Sequence, residues 1–198
     1  MSVAFPSVAA MSESLPSGET EILDGGVTET VRLPIVMYHH LSPKAKLWND
    51  YVLPVEQFGN DLKYLKERGY ESVTLTQLLA WYDGEASLPE KPFMITFDDG
   101  FESTDIYARP ILEKYEFTAI VAVIGSAADL FSENDDHTPD YSHLNWETVR
   151  SLAQTGVFEF QCHSFNMHKF DVFAGSERLC MTLSAQLWRT FRIFSFSL

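Results

Sequence analysis

Residues 93–104 read FMITFDDGFEST. The run from Phe93 to Phe97 is mostly apolar and strand-like, and it then meets Asp98, Asp99 and Gly100. A short apolar run bounded by turn residues reads as a buried strand. Two adjacent carboxylates at the tip of such a strand repel each other and lose hydration. That is costly unless something positive sits between them.

Working outward, the same rhythm repeats. On the N-terminal side, Pro34 opens the apolar run Ile35-Val36-Met37-Tyr38, which ends at His39-His40. Val55, Phe58, Leu62 and Leu65 then recur at helical spacing, and Gly69 stops that helix. Residues 71–75 predict a short strand, and Thr76 is placed to cap a helix ending near Gly84. On the C-terminal side, Pro110 opens a helix, and residues 118–125 are an apolar strand. A polar loop over 132–143 carries His137 and His143, read as solvent histidines. Residues 145–156 predict a helix whose apolar face includes Trp146, read as core, and 157–163 form a strand ending in His163. Strands alternating with helices, at least two of them apolar on both faces, imply an α/β fold. Its sheet is parallel and covered by helices, either open or closed into a barrel. There is no GxGxxG after a first strand and no P-loop, so nucleotide-binding folds gain no support.

The chain's 198 residues suit about one domain with a real core. A formal charge of -14 and the lack of a basic run argue against a nucleic-acid partner. Cys162 and Cys180 read as free thiols and belong to no CxxC. No stretch is long enough to span a bilayer. Residues 1–32 are rich in Ser, Gly, Glu and Thr and read as a flexible leader, poor as a signal peptide.

In parallel α/β folds, chemistry collects at the C-terminal ends of the strands. Here those ends carry His39-His40, Asp98-Asp99 and His163, and His168 follows five residues later. On a helix, an i, i+5 pair would point about 140° apart. On a loop leaving a strand, the two rings can turn toward each other, with Asn166 as a loop-bending residue between them. Two imidazoles and one carboxylate form a common divalent-metal set with positions left open for water. The metal would be the positive partner of the acid pair. One aspartate would bind it, and the other would accept a proton from a water whose pKa the metal lowers from about 15.7 to about 7. Zinc is the first choice for such a set, and cobalt, nickel or iron also fit it.

TFDDG and HSFNMH, following the strand PIVMYHH, resemble the motifs of the polysaccharide deacetylases, metal-dependent carbohydrate esterases. The resemblance covers residues 34 to about 170. It implies a NodB-type distorted (β/α) barrel, here partial and truncated after about five strands. It also divides the chain into a leader over 1–32, the N-terminal part of a deacetylase domain over 33–170, and an atypical tail over 171–198. By the resemblance Asp98 is the catalytic base, and Asp99, His163 and His168 are the metal ligands. The histidine spacing of five is similar to the branch acting on poly-β-1,6-N-acetylglucosamine, in which His39 matches a histidine near the substrate. The reaction implied is hydrolysis of N-acetyl groups from an N-acetylhexosamine polysaccharide outside the cytoplasm. The family's later motifs, with their Arg, Trp and proton-donating His, have no match. Residues 171–198 instead hold three Arg against one Asp and one Glu. The expectation is a half-site, with low or absent turnover from this polypeptide. A metal- or sugar-binding remnant and another metal-dependent amidohydrolase are the competing readings.

Overall fold

The computed structural model describes residues 31–134 and 136–167, together with the backbone of 22–23 and 26–27. Two compact units are present, one including residues 33–165 and the other residues 16–32 and 166–198. In the second unit, within the segment read as a leader, β1 (Ile22–Leu23) pairs antiparallel with β2 (Gly26–Val27).

The first unit is built on a five-stranded parallel sheet. Its strands are β3 (Ile35–Tyr38), β6 (Glu71–Ser72), β7 (Pro92–Phe97), β8 (Ala119–Ile124) and β9 (Phe158–Ser164). The order is β3-β7-β8-β9, and β6 pairs with the start of β7. A smaller parallel pair, β4 (His40–Ser42) with β5 (Val52–Pro54), continues from the end of β3. Five α-helices are described: α1 (Val55–Glu67), α2 (Leu75–Tyr82), α3 (Arg109–Tyr115), α4 (Gly125–Glu133) and α5 (Trp146–Ala153). The α/β class and the parallel sheet expected from the alternating pattern are therefore present.

The sheet separates two apolar layers. On one face Tyr38 and Phe97 stack with centroids 5.5 Å apart, and Phe58 of α1 meets Tyr38 edge-on at 5.0 Å. Leu62, Leu112 and Val121 are fully buried in the same cluster. Burying each such side chain stabilises the fold by about 1.5–3 kcal/mol. On the other face Met94 and Ile120 pack with Val73 and Leu78. Successive strand residues point to opposite faces. Since Tyr38 pairs with Phe97, the next residues, His39 and Asp98, fall together on the face opposite those stacked rings.

Four local expectations are corrected. The strand over 71–75 shortens to Glu71–Ser72, because Thr74, not Thr76, starts the next helix. The Thr74 side chain accepts the Gln77 N–H at 3.2 Å, and the Gln77 side chain takes the Thr74 N–H at 2.8 Å. This reciprocal cap satisfies two otherwise orphaned donors. Thr74→Ala is expected to cost about 1 kcal/mol in urea unfolding with little effect on the distant rim. The polar loop read over 132–143 loses its first two residues to α4, a helix not read from the sequence, whose N-cap, Ile124, makes no side-chain cap. The helix read from Pro110 starts one residue earlier, after a π-helical stretch over Thr104–Ala108. Trp146 is half-buried, not core: its indole N–H donates to Asp129 at 2.7 Å while the ring packs on the cluster from outside. Cys162 is a free, exposed thiol, and Cys180 lies outside the described residues.

Candidate active site

β7 delivers the acid pair to the C-terminal rim of the sheet. The Asp98 N–H donates to the Tyr38 carbonyl at 2.9 Å, so the ladder with β3 runs one residue past the strand. The chain then turns sharply. Asp99 has φ +70° and Gly100 has φ +75°, two consecutive left-handed residues. Such backbone costs free energy for any residue with a Cβ and persists only where the surroundings fix it. The surroundings do fix it: Ile124 N–H reaches the Asp99 carbonyl at 3.4 Å, and Leu144 N–H donates to the Gly100 carbonyl at 2.8 Å.

Asp98 and Asp99 are both buried, at 6% and 9% exposure. Burial, and secondarily the negative charge of Asp99, push the Asp98 carboxyl up to about 7 from an ordinary value of 3.8. A carboxyl so placed exchanges a proton near neutrality, as a general base requires.

His163 arrives from β9 by a register shift. Val123 pairs with Cys162, but Ile124 pairs with Ser164, so His163 is the extra residue of a bulge. Bulges re-aim a side chain beside functional sites. Here the His163 Nε2 lies 3.4 Å from Asp99 Oδ1. Two members of the expected ligand set, separated by 64 residues in the chain, therefore meet across β8. The third, His168, lies outside the described residues. Among the described residues no group of three His, Cys, Asp or Glu side chains converges to hold a metal ion. The Asp99–His163 pair nonetheless fits a dication: a carboxylate oxygen and an imidazole nitrogen of the right types converge beside a second acid.

His39 is half-buried just after β3, and its ring meets the exposed Tyr51 edge-on at 5.3 Å. Register places it on the face of Asp98.

Residues behind the motif were not singled out by sequence. Glu102, Ser103 and Thr104 are all buried, as is His40. Glu102 N–H donates to the Ser142 carbonyl at 2.8 Å, and its Oε1 meets His137 Nδ1 at 2.5 Å. The loop over 136–144 is thus drawn onto the acid-bearing turn. His137 is exposed, as read, and also paired with Glu102, whereas the solvent reading of His143 is corrected: it is half-buried, packed against Phe101 at 4.4 Å and Phe131 at 5.6 Å. The available signal was the polar run Glu102-Ser103-Thr104 close behind the acid pair and Phe101.

A parallel α/β sheet whose rim joins a buried acid pair to an imidazole is a hydrolase-like arrangement. The chain belongs to the polysaccharide deacetylase family: that family's model matches residues 85–186. It is 32% identical over 118 residues to poly-β-1,6-N-acetyl-D-glucosamine N-deacetylase of Escherichia coli K12, covering 57% of this chain and 17% of that protein. It is 29% identical over 119 residues to the protein of the same name from Staphylococcus aureus MRSA252, covering 60% of this chain and 39% of the relative. The chain thus spans well under half the length of either. Among solved structures, the de-N-acetylase from Aggregatibacter actinomycetemcomitans superposes with a TM-score of 0.62 at 25% identity, over 73% of this chain and 60% of that one. IcaB from Ammonifex degensii superposes with a TM-score of 0.58 at 25% identity, over 78% and 65%. These similarities agree with the NodB-type α/β fold expected from the motifs.

Proposed function

We propose that this chain carries the dication-dependent base half of a site that hydrolyses N-acetyl groups from an N-acetylhexosamine polysaccharide. The observation that carries the reading is the convergence of Asp99 and His163 at 3.4 Å beside Asp98, a carboxyl raised to about 7. Asp99 and His163 would hold the ion, with His168 as the third ligand. A bound dication supplies Lewis acidity, polarising the acetamide carbonyl and acidifying water.

The chain's own residues do the rest. Asp98 takes a proton from the attacking water, and burial lets it hold that proton at neutral pH. His39, on the same face, contacts the sugar beside the acetamide. Attack by water forms a new C–O bond, the C–N bond breaks as the nitrogen takes up a proton returned from Asp98 through solvent, and acetate and a free amine result. The five-residue histidine spacing and the names of the relatives favour a β-1,6-linked N-acetylglucosamine polymer. Such polymers lie outside the cytoplasm, so the envelope or extracellular space is the proposed place of action. Among the described residues no helix is long and apolar enough to cross a membrane.

The test is acetate release, with added zinc or cobalt, from β-1,6-linked N-acetylglucosamine oligomers, β-1,4-linked oligomers and simple acetamides. The expected result is release from the β-1,6 oligomers above the others, abolished by a chelator. Release from simple acetamides alone would reassign the site to a small-substrate amidase, and no release from any of them would reject hydrolysis by this chain in favour of a metal- or sugar-binding remnant.

A further inference from the structure

The second histidine of the early strand has no part in the chemistry above, yet it is the more buried of the two. His40 is 3% exposed and starts β4, directly after His39. Its Nδ1 lies 2.8 Å from the Ser103 hydroxyl oxygen, and its ring packs on Phe101 at 4.7 Å. Ser103 is fully buried and also accepts the Leu41 N–H at 3.2 Å. The Ser103 oxygen thus holds two partners from the early strand, the Leu41 backbone N–H and the His40 ring nitrogen. Burial lowers the His40 pKa, outweighing the Asp140 backbone and carboxylate that raise it.

What this bond holds matters more than the bond itself. Phe101 and Ser103 follow directly on the left-handed Asp99–Gly100 pair. Three elements pin that turn: the end of β8 through Ile124, the 136–144 loop through Ser142 and Leu144, and β4 through His40 and Leu41. The contacts from Ile124, Ser142 and Leu144 are backbone bonds, which no side-chain change removes. Side chains add two more ties, the half-exposed Glu102–His137 pair and the fully enclosed His40–Ser103 bond, which bridges 63 residues of chain.

We infer that His40 is a positioning residue: through Ser103 it fixes the strained turn that aims the Asp99 carboxylate at His163, and so sets the affinity of the site for its dication. This rests on the dication reading proposed above. Residues that orient a ligand in this way typically change metal affinity by about 10–100-fold when lost.

The full chain and its variants are titrated with cobalt(II) by calorimetry, with the cobalt visible spectrum recorded in parallel. His40→Phe keeps a ring of similar size but removes the nitrogen that bonds Ser103. His40→Asn places an amide group, able to accept or donate, at the former Nδ1 position. The expected result is about tenfold or greater weakening in His40→Phe with an altered cobalt spectrum, and return to within about threefold of the parent in His40→Asn. Ser103→Ala should reproduce His40→Phe and serves in its place should that variant not fold. Parent-like affinity and spectrum in His40→Phe or Ser103→Ala, or a His40→Asn as weak as His40→Phe, would overturn the inference. Should the parent bind no cobalt, the dication reading fails, and amide exchange over residues 99–104 decides this one. Faster exchange in His40→Phe or Ser103→Ala than in the parent, with His40→Asn restoring the parent rate, keeps it; equal rates in all variants end it.

Discussion

Asp98→Asn is expected to yield a protein that releases no acetate yet resists unfolding better than the parent at pH 8. The two effects have one cause. In the folded chain the Asp98 carboxyl is raised to about 7, whereas an unconstrained aspartate titrates near 3.8. Between those values the folded state binds the proton and the unfolded state does not, so stability falls as pH climbs through the interval. Three units correspond to about 4 kcal/mol as an upper figure. Asparagine has no charge to bury, so the metal-free variant should gain about 1–4 kcal/mol at pH 8 and almost nothing at pH 4. A dication between the carboxylates favours the ionised form, so adding zinc should shrink the gap. Urea unfolding of metal-free parent and variant at both pH values checks this. A gap at pH 4 equal to that at pH 8 would show that charge burial is not its source. The lost activity follows because the amide is not basic enough to take a proton from water.

Gly100→Ala is expected to be among the most damaging single-methyl additions in the chain. With φ +75°, alanine there adopts a left-handed conformation, costing about 1–2 kcal/mol. The added Cβ would also lie 2.9 Å from Val123 Cγ1 and 3.2 Å from Val123 Cα, which is backbone in a core strand and cannot rotate away. Overpacking of this kind typically costs a further 1–3 kcal/mol or so. The relief available is to move the turn, which would break the Leu144–Gly100 hydrogen bond and displace Asp99. Both thermal stability and dication affinity should fall. Gly84 supplies the control: it has the same φ, +75°, but nothing within 4 Å of an added Cβ. Gly84→Ala should therefore show the conformational cost alone. Equal losses at the two positions would mean that the contact with Val123 is unimportant.

The sheet was legible in the sequence because its strands are short apolar runs ending in chemically distinctive residues. Ile95 and Val121 have nowhere to go but a core, and Asp98-Asp99 has no reason to follow a core strand unless it does chemistry. Helix starts were less legible. Thr74 and Thr76 are equally good caps by type, and only the partner three residues on, Gln77, selects Thr74. α4 carries no side-chain cap, so its start at Gly125 left no mark to read. The meeting of Asp99 with His163 follows from the order β7-β8-β9, which alternating strands suggest, but its 3.4 Å closeness depends on a one-residue bulge that composition does not encode. The His40–Ser103 bond was hidden for a different reason: two ordinary polar residues far apart in the chain acquire meaning only when both prove to be buried.

The left-handed backbone at Asp99 has a practical side. Among residues with a Cβ, aspartate and asparagine are the ones most at ease there. Asparagine thus offers an almost isosteric neutral replacement, removing the charge while leaving the chain path as it is. A valine or leucine at the same place would confound lost ligation with a refolded turn, and its phenotype would say little about metal binding. Position 99 is therefore one where the choice of substitute decides whether an experiment reports on chemistry or on conformation.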